Sequence, residues 1–282
     1  MKSVLITGCS TGFGRSMVDE FLRRGWQTLA TTRNVAEQKQ MFAATFEKYG
    51  NQFTLLPLEI TDSRQREAVV ESIAQRDSLD CLVNNAGYRF YGALEDLSEE
   101  QIRRQLDVNF ASPALFTRSL LFSLRQSKGT IIFISSMFGY TGYPLTSVLC
   151  ASKFAIEGLA ESLYFELAPH GVKVAVVEPG ASQSSFGQNM KWTQNTFRAY
   201  QVQTANYREF QKKVSLRSPD NAVLVARRVA DLAEGRCRQF RIQVGADAIK
   251  AYLYQRLLPD SIRFPLSKII LHQLFSKNHK SL

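Results

Sequence analysis

The stretch Lys2–Gly14, KSVLITGCSTGFG, constrains this chain more than any other. The apolar run Val4-Leu5-Ile6 leads directly into a turn carrying Gly8, Gly12 and Gly14. The next segment places Met17, Val18, Phe21 and Leu22 at helical spacing. This predicts a strand, a glycine turn and a helix. Glycine permits positive φ and a close backbone approach. The helix start presents unpaired N–H groups and the positive end of its dipole. A nucleotide diphosphate is held in this way. The spacing is G-x-x-x-G-x-G, not the G-x-G-x-x-G of the standard dinucleotide fingerprint. Glycines serving only the turn are therefore the alternative, and the position between strand and helix favours the anion site.

Apolar runs alternate with helical segments along most of the 282 residues. Further strands are predicted at Trp26–Thr32, Phe53–Leu58, Leu79–Val83, Thr130–Ile134, Val172–Val177 and near Gln239–Val244. Between them apolar residues recur every three or four positions, as at Ile102, Leu106 and Phe110. Such alternation predicts βαβ units: one α/β domain with a doubly wound parallel sheet and helices on both faces. Right-handed crossovers bring the carboxyl ends of the strands to one edge. That edge is expected to collect Gly8–Gly14, Arg33, Asn84–Gly87, Ser135–Ser136 and Glu178–Gly180.

Each strand end carries its own chemistry. Thr32 and Arg33 follow the second strand, where an acidic residue would bind a ribose 2′-hydroxyl and an Arg instead suits a 2′-phosphate. This favours NADP(H) over NAD(H), with a surface arginine as the alternative. Glu59 and Ile60 are placed at an adenine edge, and Asp62 reads equally well as a plain helix cap. Asn84-Asn85-Ala86-Gly87 is a compact turn with small residues where a flat ring can rest.

Taken together, Thr7-Gly8-x-x-x-Gly12-x-Gly14, Asn84-Asn85-Ala86-Gly87, Asn109, Ser136, Ala151-Ser152-Lys153 and Pro179-Gly180 resemble the short-chain dehydrogenase/reductase family, in order and at family spacing. The likeness runs to about Gly180 and weakly to about Ala248. It implies a Rossmann-type sheet of about seven strands, a homodimer or homotetramer, and hydride transfer between a nicotinamide cofactor and an alcohol or carbonyl. It also implies that the cofactor is bound by Gly8, Ser10, Thr11, Gly12, Phe13, Gly14, Arg33, Glu59, Ile60, Asn85, Ala86, Gly87, Lys153, Pro179, Gly180 and Ser184.

The family's catalytic Asn, Ser and Lys fall on Asn109, Ser136 and Lys153. Its Tyr, thirteen residues after the Ser and four before the Lys, falls on Leu149. The Tyr exchanges a proton with the substrate oxygen as hydride moves at carbon. Loss of a positioned acid–base group typically costs about 10²–10⁴ in rate, and leucine has no proton to give. One reading moves the proton donor to Tyr143, or to Tyr140, on the loop before the active helix. The aromatics lining the pocket without giving a proton are the alternative. A second reading is a non-redox enzyme on the same scaffold. A third is a cofactor-binding pseudoenzyme acting through a partner. Cys150, next to Leu149, points elsewhere on a helix and is expected in the core.

Residues 186–215 are long and aromatic, with Trp192, Phe197, Tyr200, Tyr207 and Phe210. In the family this region is the substrate lid, and its aromatics imply a bulky apolar or aromatic substrate. A pair of helices packed on the sheet is the alternative. The domain is placed at 1–248 and a basic amphipathic extension at 249–282. Such an extension can lie on a membrane surface, although packing on its own subunit, on the lid or at a dimer interface is the commoner outcome. The formal net charge of +10 is assigned to a solvated surface and a phosphorylated cofactor. No basic run interleaves with aromatics as a nucleic-acid groove requires. Four scattered cysteines and three dispersed histidines give no metal-ligand spacing and suit a reducing compartment. With no signal peptide and no apolar run of roughly 18 residues, a cytoplasmic location is expected.

Overall fold

The computed structural model describes residues 1–76, 78–183, 190–193 and 195–275. In chain order the strands are β1 (Ser3–Ile6), β2 (Gln27–Thr32), β3 (Phe53–Pro57), β4 (Cys81–Asn84), β5 (Arg89–Tyr91), β6 (Thr130–Ile134), β7 (Lys173–Pro179), β8 (Met190–Trp192) and β9 (Arg241–Val244). Seven form one sheet in the order β3-β2-β1-β4-β6-β7-β9, every pair parallel. The chain winds outward from β1 in one direction and from β4 in the other. The crevice between their carboxyl ends is therefore the switch point of a doubly wound sheet, where such sheets take ligands.

The helices are α1 (Gly12–Arg23), α2 (Val35–Met41), α3 (Ala43–Tyr49), α4 (Ser63–Ala74), α5 (Glu99–Leu106), α6 (Ser112–Ser127), α7 (Ser147–Leu167), α8 (Gln201–Arg217), α9 (Ala222–Ala233), α10 (Ala246–Leu257) and α11 (Asp260–Phe275). Strand residues alternate between two cores. Val4 and Ile6 pack with Phe21 of α1 and Val229 of α9, whereas Leu5 packs with Phe116 of α6 and Ile156 of α7. Ile132 and Ile134 face the first core, Ile131 and Phe133 the second. Burial on both faces explains why the strands read as unbroken apolar runs. Each fully buried Leu, Ile or Phe contributes about 1.5–3 kcal/mol.

The strand expectations hold to within two or three residues. The fourth strand begins at Cys81, just after Asp80, whose backbone bonds to Ser3 and Thr130 and whose carboxylate accepts from the Ser3 amide at 2.8 Å. The sixth runs on to Pro179 beside β9. Unforeseen is a second, two-stranded sheet in which β5 pairs with β8, setting Tyr91 opposite Trp192. These two rings stack at 5.2 Å between centroids. Among the described residues no helix is long and apolar enough to cross a membrane.

Helices α1 and α9 are joined by a charge cluster at the edge of the first core. Arg24, its side chain 10% exposed, donates to Glu20, Asp231 and Glu234 at 2.7–2.8 Å. Removing the guanidinium leaves three carboxylates facing one another. We expect Arg24→Met to lower the unfolding free energy by about 2 kcal/mol, between the values for exposed and buried pairs. Urea denaturation with an unchanged m-value measures this, and a change below about 0.5 kcal/mol would mean that the cluster is only a surface feature.

Candidate active site

The crevice is built on a hydrogen-bond staple between β1 and β4. Thr7 Oγ1 accepts from the amides of Asn85 and Ala86, both at 2.9 Å. Asn85 Nδ2 donates to the carbonyls of Thr7 at 2.8 Å and Gly8 at 2.9 Å. Gly8 sits at φ +70, and a Cβ on it would lie 2.9 Å from Ala86 Cα. A Cβ on Gly14 would lie 2.2 Å from the Gly8 carbonyl oxygen. The turn and the helix start are thus pressed against each other, and only glycine fits either position. Thr11 caps α1 without a side-chain hydrogen bond, and the first turn holds no acid. The helix end therefore presents its N–H groups and positive dipole to the crevice.

In front of it lies a cavity of about 780 Å³. Gly8, Ser10, Thr11 and Phe13 line it from the glycine turn, and Asn85, Ala86 and Gly87 from the β4 turn. Arg33 lines it after β2, and Glu59 and Ile60 after β3. The structure brings all these expected residues together. Gly12 and Gly14 are not part of this lining, and Gly14 packs behind it against Gly8 and Asn85. Asp62 caps α4, accepting from Arg64 N at 2.9 Å and Gln65 N at 3.1 Å. The Glu59 carboxylate is engaged by Arg104 of α5 at 3.1 Å and by the Thr61 hydroxyl at 3.1 Å. Arg104 itself lines the cavity, and nothing in its local sequence signals this. Two buried hydroxyls of the lining, Thr31 Oγ1 and Thr32 Oγ1, have no hydrogen-bond partner. An open helix end, an exposed arginine and unsatisfied hydroxyls suit a ligand carrying phosphates and ribose.

Phe13, Asn85 and Tyr88 also border a smaller pocket of about 20 Å³. Ser136, Leu149, Lys153, Pro179 and Arg89 complete much of its lining, with Ser135, whose buried Oγ is unpartnered. Ser136 Oγ donates to the Pro179 carbonyl at 3.5 Å. Lys153 Nζ donates to the Ile134 carbonyl at 2.8 Å. Burial first, then the Arg89 charge, lowers the Lys153 pKa to about 8, while Glu157 opposes the shift. Among the described residues no carboxylate lines this pocket. Arg89 is brought there by β5 and was not singled out from the sequence. Its position two residues after Gly87 was the available signal.

Asn109, in a single π-turn at Asp107–Ala111, lies outside this lining. Its Oδ1 accepts from Tyr88 N at 3.0 Å, and its Nδ2 donates to Tyr88 O at 3.0 Å and Ser152 Oγ at 3.1 Å. It thereby ties the β4 turn to α7. Gly180 backs onto Asp247, whose Oδ1 would lie 2.1 Å from a Cβ there. Ser184 lies outside the described residues.

Leu149 is 1% exposed and packs with Phe138, Tyr91 and Tyr207. The structure does not bring Tyr143 into the pocket lining. Its ring sits among Phe138 at 6.1 Å and Tyr207 at 5.9 Å, and burial pushes its hydroxyl up to about 12. Tyr140 donates to the Ala248 carbonyl at 2.8 Å, and burial together with Glu178 and Asp247 raises its pKa. Cys150 is buried, as expected, and its thiol meets Thr146 Oγ1 at 3.4 Å. Of the lid aromatics, Trp192, Tyr207, Tyr200 and Phe210 close into one cluster over Leu149, and Phe197 is exposed.

The family model for short chain dehydrogenase matches residues 2–195. An uncharacterized oxidoreductase of Bacillus subtilis is 32% identical over 216 residues, covering 76% of this chain and 75% of that protein. The 3-ketodihydrosphingosine reductase of Bacteroides thetaiotaomicron is 34% identical over 188 residues, 66% of each chain. The crystal structure of a short-chain dehydrogenase from Streptomyces avermitilis superposes with a TM-score of 0.79 at 28% identity, covering 95% of both chains.

Gly8→Ala is expected to cost about 1–3 kcal/mol through backbone strain and the clash with Ala86. Gly158, inside α7, is the control, because a Cβ added there would meet no heavy atom within 4 Å. Gly158→Ala should stabilise by roughly 0.5–1 kcal/mol. Opposite signs in paired denaturation curves support the packed-turn description, and a neutral Gly8→Ala contradicts it.

Proposed function

Because the chain belongs to the short-chain dehydrogenase family, we propose that it is an NADP(H)-dependent oxidoreductase acting on the carbonyl or alcohol of a bulky apolar or aromatic substrate, with Lys153 taking the proton role that Leu149 cannot fill. The observation that carries this reading is the small pocket, which Ser136, Lys153 and Leu149 line together. A bound nicotinamide would supply or accept the hydride. Residues of the larger cavity would hold the rest of the cofactor: the α1 N-terminus and Thr11 at the diphosphate, Arg33 and Thr32 at the ribose phosphate, Ile60 at the adenine.

For reduction, Ser136 Oγ donates a hydrogen bond to the substrate carbonyl oxygen. As hydride adds at carbon, that oxygen becomes an alkoxide. The Lys153 ammonium gives it a proton and is left as a neutral amine. Arg89 adds a fixed positive charge that favours the anionic oxygen. Oxidation runs the same steps backwards. Tyr143 is a weaker candidate, since its ring packs with Phe138 and Tyr207 and its hydroxyl is made less acidic by burial. Asn109 acts by positioning, through its bonds to Tyr88 and Ser152. The aromatic cluster over Leu149 favours an apolar substrate body. The Bacteroides relative's named substrate, 3-ketodihydrosphingosine, joins a carbonyl to a long apolar chain and fits the same class. Exposed Leu115 and Phe122 of α6, with Phe154 and Phe165 of α7, are apolar surface for a homo-oligomer contact.

Two measurements test this. In fluorescence titrations, Arg33→Ala should weaken NADPH about 10- to 100-fold, the worth of charge-assisted hydrogen bonds to a phosphate, and leave NADH unchanged. Equal losses for both cofactors would remove Arg33 from the 2′-phosphate. In the pH profile, reduction needs Lys153 protonated. Its kcat/KM should be level below about 8 and fall about tenfold per unit above, while oxidation rises over the same range. A profile without this inflection, or full activity in Lys153→Met, would take the proton role away from Lys153.

A further inference from the structure

The two C-terminal helices turn an apolar face outward. On α10, Ile249, Leu253 and Leu257 recur every four residues and are 47%, 47% and 74% exposed. On α11, Ile262, Leu266, Ile269 and Ile270 follow i, i+4, i+7, i+8 spacing and are all exposed. Residues at these spacings share one helix face. The opposite face of α11 looks inward and is largely polar. Tyr254 Oη of α10 donates to the Arg263 carbonyl at 3.1 Å or shares a bond with Ser267 Oγ at 2.9 Å. Arg263 is 11% exposed and bonds to Gln255 and Asp260. Helices of soluble proteins present the apolar stripe to the core; α11 does the reverse.

Lys250, Arg256 and Lys268 are exposed and form no salt bridge among the described residues. Arg256 lies over the Tyr252 ring, 5.4 Å from its centroid, and, after Arg241, helps hold the Glu161 carboxyl below its ordinary range. The two acids of these helices are occupied: Asp247 accepts from the Ala181 amide at 2.6 Å, and Asp260 pairs with Arg263. We propose that α10 and α11 form a docking face for an anionic lipid bilayer, lying in the headgroup layer with the isoleucine stripe inserted and the exposed Lys250 and Lys268 reaching the phosphate plane. A second copy of the chain fits less well. A two-fold contact through this face meets itself, bringing the same lysines together while both acids of the two helices, Asp247 and Asp260, are already engaged. The location also suits the fold. Leu271, on the inner side of α11, packs against the aromatic cluster of Tyr207, Trp192 and Phe210 above Leu149. The membrane-facing helix is therefore continuous with the wall of the small pocket.

The test is co-sedimentation of the full chain with phosphatidylcholine vesicles, with and without phosphatidylserine. Phosphatidylserine should raise the partition coefficient, about fivefold for each cation engaged, and added salt should cancel the gain. The triple variant Ile262→Asn/Ile269→Asn/Ile270→Asn should lower binding at least about tenfold while NADPH affinity and melting temperature stay unchanged. Lys250→Glu/Lys268→Glu should keep the weak binding to phosphatidylcholine and lose the phosphatidylserine gain. Binding that ignores phosphatidylserine, or none to any vesicle, overturns the proposal. So does a dimer in sedimentation velocity that the triple variant splits, because a second copy would then cover the face.

Discussion

The crevice depends on four hydrogen bonds made by two side chains. Thr7 and Asn85 join the ends of β1 and β4, the point where the sheet reverses direction. Each bond satisfies a half-buried backbone group at the end of a strand, and a hydrogen bond of this kind contributes about 0.5–1.5 kcal/mol. The staple fixes Gly8 against Ala86, and Gly14 against Gly8. That contact sets where α1 begins and where its open N-terminus points. Arg33, Glu59 and Ser136 reach the same edge because the parallel register carries their strand ends to one level. The cavity is thus a consequence of sheet topology, locked by one local set of bonds.

What could be read in the sequence is what local chemistry determines. The strands of the main sheet were legible because both faces are buried, which leaves no polar alternation to confuse the pattern. The glycine turn was legible because positive φ and close packing admit few other residues. The small sheet was not. Its strands β5 and β8 are three residues each and lie about a hundred positions apart. What joins them is the Tyr91–Trp192 stack, a tertiary contact with no local trace. The entry of Arg89 into the pocket follows from that strand and was hidden with it. Tyr143 was expected near the reacting atoms from its place in the chain alone. The turn that follows it, with Thr146 Oγ1 donating to the Tyr143 carbonyl at 2.7 Å and Leu145 at φ +61, leaves its ring in the lid cluster. The outward face of α11 was also invisible, because its apolar residues give no sign of which side meets the protein.

Leu149 makes the site instructive. In place of a phenol the pocket has a methyl-bearing side chain, continuous with the aromatic cluster of the lid. The pocket keeps its serine and its lysine, and adds an arginine. Burial and the Arg89 charge make the lysine a far stronger acid than a free amine. Two cations around a pocket whose described lining holds no carboxylate are costly to the folded state and favourable to an oxygen that becomes anionic during reaction. A buried, charged group with a shifted pKa is of the kind found where chemistry is done.

The central claim is that this site transfers hydride without a tyrosine. NADPH deuterated at its transferable position, incubated with the unaltered protein and a panel of long-chain and aromatic ketones, tests it most directly by mass spectrometry. The expected product is an alcohol with one deuterium on the carbinol carbon. NADPH bound without deuterium transfer to any ketone, and transfer restored in Leu149→Tyr, would contradict the claim and leave a cofactor-binding protein that has lost its reaction.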